Sequence, residues 1–208
     1  MARGRHVPKR FLSRAAAASL LAFLMAGGVS CDLFETRTPA DPGRNNFPCL
    51  SLDTPDNVFA NITRAYGRGD GLGCYLSTLD AVAFAFHADP ADSAASPVQF
   101  TGWTILVEER VARNIASDSD PDSFLLRLIS PYDLVAQAPD VETRRYPYEI
   151  KFRGTAIADT LFQGLAEITV RKNAGGQWLV GDWVDRRDPS GTTSLTWGYL
   201  RGSFRIGI

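Results

Sequence analysis

The run Arg145-Tyr146-Pro147-Tyr148-Glu149-Ile150-Lys151-Phe152-Arg153 constrains the fold more than any other stretch of the chain. Tyr146, Tyr148, Ile150 and Phe152 fall on one side of a period-2 pattern, and Arg145, Glu149, Lys151 and Arg153 fall on the other. That is a strand with one buried and one wet face. It belongs in an antiparallel sheet, because parallel sheets are covered on both faces and read as continuous apolar runs. Pro147 has no N–H, so it must sit where the ladder needs no donor, at a bulge or near an edge. Leu161 to Lys172 and Gln177 to Asp185 flank the turn Asn173-Ala174-Gly175-Gly176 and pair as a hairpin, and Phe124 to Ser130 supplies another strand.

A one-sided sheet needs a cover, and the preceding part of the chain provides helices. Thr54-Pro55 is an N-cap followed by proline at the first helical position, and Val58, Phe59, Ile62, Ala65 and Tyr66 form an apolar stripe behind it. Gly67-Arg68-Gly69-Asp70-Gly71 ends that helix, and Leu72, Tyr75, Leu76 and Leu79 recur at helical spacing to mark a second. Ala81 to His87 reads as a strand with Val82, Phe84 and Phe86 on one face. A loop from Asp89 to Pro97 leads to a third helix over Gly102 to Ser117, with Trp103, Val107, Val111 and Ile115 spaced for burial. Thr196, Trp197, Tyr199 and Leu200 add one helical turn at the tail. The fold class is therefore α+β, with three N-terminal helices packed on an antiparallel sheet.

The first 30 residues differ from the rest. They hold Arg3, Arg5, Lys9, Arg10 and Arg14 and no acid, and Ala15 to Ala26 is an apolar run of 12 residues. This is the layout of a secretory signal peptide over residues 1–30. As a helix the run would rise only about 18 Å, short of a bilayer core of roughly 30 Å. The 22 basic residues less these five leave 17 against 23 acidic residues, so the body is acidic and lacks the basic stripe that nucleic acid requires. Residues 31–49, with Pro39, Pro42, Gly43 and Pro48 among polar neighbours, read as a tether, and residues 50–208 as the folded domain.

Gly28-Val29-Ser30-Cys31 resembles the lipobox of bacterial lipoproteins, in which the cysteine becomes acylated and the first mature residue; Gly28 stands where leucine is usual. The resemblance implies a membrane anchor at Cys31 and a place in the cell envelope, facing the periplasm or the cell surface. Export would bring Cys49 and Cys74 into an oxidising compartment, where they are expected to pair; two separate buried thiols are the alternative.

Most catalytic constellations are ruled out by inventory. His6 leaves with the signal segment, so His87 is the single histidine for a zinc site or a Ser-His-Asp triad, and there is no CxxC pair and no G-x-S-x-G elbow. Gly67 to Gly73 lacks the preceding strand and following Lys-Ser/Thr of a phosphate loop. Asp118, Asp120 and Asp122 alternate like the start of a calcium loop, but Ser123 and Ile129 stand where Gly and Glu are needed. No metal or cofactor is called for.

The order helix, helix, strand, helix, strand meander is similar to the α+β cone of the nuclear transport factor 2-like superfamily (cystatin-like), in particular its small bacterial lipoproteins. The residues carrying the resemblance are Thr54-Pro55, Tyr66 and Asp70, Trp103 with Glu108 and Glu109, Gly175 to Asp185 (GGQWLVGDWVD) and Ser194 to Leu200 (SLTWGYL). It implies a curved sheet and a cavity between sheet and helices, which some members use as isomerases, dehydratases or small-ligand binders. Phe84, Trp103, Tyr146, Tyr148 and Trp183 would line that cavity, with His87, Asp159 or Asp182 as its polar group; as a plain core, the same aromatic residues would fill it. None of the enzymes' catalytic acids matches a position here. The expectation is a lipid-anchored envelope protein with a non-catalytic domain that binds an envelope protein or a small apolar ligand, and that dimerises through its sheet. The alternative is a cofactor-independent isomerase, dehydratase or hydrolase. An open pocket with a buried carboxylate near His87 or Tyr148 favours the enzyme, and a space packed shut by Trp103 and Trp183 favours the binding or structural role.

Overall fold

The computed structural model describes residues 48–65, 71–120 and 123–205. The signal segment, Cys31 and most of the tether lie outside the described residues, as do Tyr66, Asp70 and Asp122.

Thr54 opens the first helix as expected: its hydroxyl accepts the Asn57 N–H at 3.3 Å, and α1 runs Pro55–Ala65 with Val58 and Ile62 fully buried. Helix α2 follows at Leu72–Ser77 and buries Cys74 and Tyr75. Cys74 is joined to Cys49 by a disulfide. The expected strand from Ala81 is shorter than its alternation suggests. The Asp80 carboxylate accepts the N–H groups of Val82 and Ala83 at 2.8 and 2.9 Å, which folds these residues into a turn and leaves Val82 97% exposed. Strand β1 is only Ala85–His87. The stretch expected as a loop is helical, because Asp89 caps the Ala91 N–H and Pro90 and Pro97 each start a turn: α3 is Pro90–Ala95 and α4 is Pro97–Phe100. Helix α5, Ile105–Asp118, begins three residues later than its periodicity indicates, after Gly102 at φ +64°.

The sheet comprises β2 (Leu125–Leu128), β3 (Asp133–Ala138), β4 (Val141–Phe152), β5 (Thr160–Lys172) and β6 (Trp178–Arg186) together with β1. Its order is β1-β6-β5-β4-β2, with β3 pairing β4 beyond β2. All pairs are antiparallel except β1 on β6, which is parallel at one edge. Register shifts between Leu134 and Ala136 and between Thr169 and Val170 bend the sheet, which stays open. Pro147 lies where β4 passes from its pairing with β2 to its pairing with β3. Its carbonyl accepts the Ile129 N–H at 2.8 Å on that side, so the missing N–H interrupts no ladder bond toward β5.

Tyr146, Tyr148, Ile150 and Phe152 are buried on the inner face. One apolar cluster joins them to Phe162, Ile168 and Trp183 of the neighbouring strands, Val58 and Ile62 of α1, and Val111 and Ile115 of α5. The tail contributes more than a single turn: α6, Trp197–Arg205, is a nine-residue helix that buries Trp197, Leu200 and Phe204 in the same cluster. No helix among the described residues is long and apolar enough to cross a membrane.

Candidate functional site

The inner face of the sheet is where chemistry would be sited, and α6 decides what is there. Trp197, Leu200, Arg201 and Phe204 follow helical spacing, so one arginine sits on the apolar stripe and enters the core with it. Its guanidinium lies 4.3 Å from the ring centroids of Phe86 and Trp183 and 4.6 Å from that of Trp197. The charge is fully buried and is balanced by Glu108 of α5, also fully buried, at 3.3 Å. The Glu108 carboxylate further accepts the Tyr75 hydroxyl at 2.5 Å and the Trp103 indole N–H at 2.8 Å, and Arg201 donates to Tyr75 Oη at 2.9 Å.

A second buried network holds the start of α6. Tyr148 donates its hydroxyl to Asp185 at 2.8 Å and accepts the Trp197 N–H at 2.6 Å, while Gly198 N–H donates to the other Asp185 oxygen at 2.5 Å. Burial pushes the Asp185 pKa up to about 6, against the lowering effect of the Gly198 and Tyr148 hydrogen bonds. Burial, and then the neighbouring Asp185 charge, raises Tyr148 well above the usual phenol range. Gly164, opposite Tyr148 on β5, makes room for the phenol: a Cβ there would lie 2.5 Å from Tyr148 Oη. Next to this network, Asp92 of α3 accepts the Thr196 hydroxyl at 2.7 Å and Arg187 at 2.6 Å.

Of the residues expected around a cavity, Phe84, Trp103, Tyr146, Tyr148 and Trp183 are buried. Trp103, Tyr146, Tyr148 and Trp183 pack against other rings. Trp103 lies 5.0 Å from Phe86 and 6.0 Å from Phe100, Trp183 meets Trp197 edge-on at 4.5 Å, and Tyr146 lies beside Phe59 and Tyr132. Arg144 reaches over the last two rings and pairs with Asp56 and Glu142. The three expected polar groups are elsewhere. His87 and Asp182 contact each other at 3.0 Å with 58% and 34% of their side chains exposed. The parallel register aligns Phe86 with Trp183, so the residues beside them alternate to the outer face. Asp159 is exposed in the β4–β5 loop.

The charged side chains with no solvent exposure among the described residues are Glu108, Asp185 and Arg201, and Asp92 is nearly as buried. The one sequence signal for Arg201 was its place on the stripe of Trp197, Leu200 and Phe204. Glu108 appeared only as part of a resemblance. No three His, Cys, Asp or Glu side chains gather into a metal-binding group among the described residues. Asp118 accepts the Ala156 N–H at 3.2 Å, and Asp120 pairs with Arg153 at 2.8 Å.

The Tyr148–Asp185 pair has the composition of an acid–base dyad. Its hydrogen-bonding positions, however, are taken by the first N–H groups of α6, so it acts as a cap for that helix.

No protein-family model matches the chain, and no curated protein matches it. Solved structures do. A proposed scytalone dehydratase from Novosphingobium aromaticivorans is similar at 11% identity and a TM-score of 0.50, covering 69% of this chain and 90% of its own. A proposed aromatic ring hydroxylase from the same organism is similar at 11% identity and a TM-score of 0.50, covering 64% and 85%. A nuclear transport factor 2-like superfamily protein from Salmonella enterica reaches a TM-score of 0.45 at 11% identity, covering 67% and 97%. At these identities the likeness speaks for architecture alone: the domain shares the α+β fold of the first two structures, an open, mostly antiparallel sheet covered by helices.

Proposed function

We propose that this chain is a lipid-anchored protein of the cell envelope whose cone domain binds a small ligand or an envelope partner without transforming it. The observation that carries the non-catalytic part of this reading is the filled interior. Arg201, Glu108, Trp183 and Trp197 pack together between sheet and helices, each with no solvent exposure, so among the described residues this space is taken up by the protein's own side chains. The lipobox-like Cys31 and the basic and apolar segment before it support the anchor. Radiolabelled palmitate should enter the wild-type chain in its host, and Cys31→Ser should abolish the label and release the protein from the membrane fraction. Native mass spectrometry of the chain isolated from that envelope should show a non-covalent extra mass. An unlabelled wild-type chain would sink the anchor, and turnover of the carried molecule would sink the non-catalytic role.

The Tyr148–Asp185 pair favours a second reading, a cofactor-independent isomerase, dehydratase or hydrolase, with a reaction class that matches the dehydratase assignment of one fold neighbour. That reading requires α6 to leave its seat, and it predicts turnover that Asp185→Asn abolishes.

A further inference from the structure

The interior is closed, but α6 and the β4–β5 hairpin leave a half-open depression of about 460 Å³ beside it. The volume falls in the range of roughly 300–1,000 Å³ usual for small-molecule sites. Ile157, Leu195 and Tyr199 line it with Thr160 and Ser203, beside the fully buried Phe162 of β5. Trp197 and Phe204 are buried on the same helix, whereas Tyr199 is left 47% exposed at this opening.

The chemistry of the walls selects the occupant. Among the described residues, no carboxylate, ammonium or guanidinium lines the depression, so an ion entering it would lose water and gain no counter-charge from them. An uncharged ring would exchange water for contact with Ile157, Leu195 and the Tyr199 face. The rim is polar and has free bonding capacity. The Thr160 hydroxyl donates to Ala158 O at 2.7 Å and the Ser203 hydroxyl to Tyr199 O at 2.9 Å, which leaves both oxygens free to accept. Among the described residues, the hydrogen bonds of Tyr199 use only its backbone, so its hydroxyl is available to donate.

We infer that this depression is the ligand site of the domain and that it takes a small, uncharged one- or two-ring compound bearing a hydroxyl or carbonyl group. The inference rests on the binding role proposed above and names where that binding happens.

The test uses the isotope-labelled full chain titrated with 2-naphthol and, separately, with 2-naphthalenesulfonate, read by two-dimensional NMR. The neutral probe should shift Ile157, Leu195 and Tyr199 saturably, and the sulfonate should bind at least tenfold more weakly. Ser203→Phe, which places a ring in the depression, should weaken 2-naphthol at least tenfold. Tyr199→Ala, at an exposed position, should weaken it several-fold with an unchanged melting temperature, and stands in if the first variant does not fold. Shifts confined to other residues, equal binding of the sulfonate, or indifference to both substitutions would overturn the assignment. A native ligand that binds at these residues and is turned over would sink the non-catalytic role and leave the site. A native ligand that shifts only residues elsewhere would sink the site and leave the role.

Discussion

Arg201 carries a charge into the centre of the domain, where an unpaired ion would be prohibitive. Glu108, the Tyr75 hydroxyl and three aromatic faces make it tolerable. Replacing Arg201 with Met keeps much of the volume but strands the Glu108 charge, so Arg201→Met should cost about 3–5 kcal/mol, measured by urea denaturation. Replacing Glu108 with Gln in the same background should recover part of that loss.

Asp185 behaves in the opposite way. Burial raises its pKa from 3.8 to about 6, so between those values the folded chain holds a proton that the unfolded chain has released. Its contribution to stability is complete below the lower value and is lost as pH rises through the upper one, by roughly 3 kcal/mol in all. Asp185→Asn stays neutral and retains an acceptor for Gly198 N–H. The difference in unfolding free energy between wild type and variant should therefore move against the wild type from about pH 4 to 7, and a flat difference would show that Asp185 titrates normally.

Among the elements, β5 and α6 depend on the absence of side chains. A Cβ at Gly164 would lie 2.5 Å from both Tyr148 Oη and the Arg186 carbonyl oxygen, and the second of these is backbone that cannot swing away. Gly164→Ala should lower stability by about 1–3 kcal/mol, seen as a lower urea midpoint with an unchanged slope. Which elements were readable beforehand follows from how locally each is encoded. The first helix and the β5–β6 hairpin carry their own cap, proline and turn residues, and they form where expected. Residues 81–84 alternate like a strand, yet the Asp80 carboxylate two and three residues away turns them. Strand β3 is exposed at all six positions, so it shows no alternation to read; it exists because the edge of β4 offers it a partner.

For the whole molecule, the Cys49–Cys74 bond ties the start of the domain to α2 across a separation of 25 residues. The Asn61 side chain bonds both the N–H and the C=O of Leu50 at 2.9 Å, and Trp178 N–H reaches Leu52 O at 2.7 Å, so the entry of the chain is held at several points. A loop of that length is worth about 3 kcal/mol in the chain-entropy model. The Cys49→Ser, Cys74→Ser double variant should lose roughly that amount and should unfold identically with and without reductant. A loss that is much smaller would mean that Asn61 and Trp178 alone secure the junction.

From the sequence alone came the class of the fold, the one-sided strand over residues 145–153, the hairpin after it and the helix that Thr54 and Pro55 begin. Each rests on periodicity and capping within a few residues, where backbone geometry ties sequence spacing to a face. Tertiary structure decided whether the aromatic residues line a cavity or fill it. Tyr75 and Arg201, 126 residues apart, meet only because α6 lands on the inner face of the sheet. Local spacing shows that a side chain points inward, but the space left there depends on every layer that packs around it.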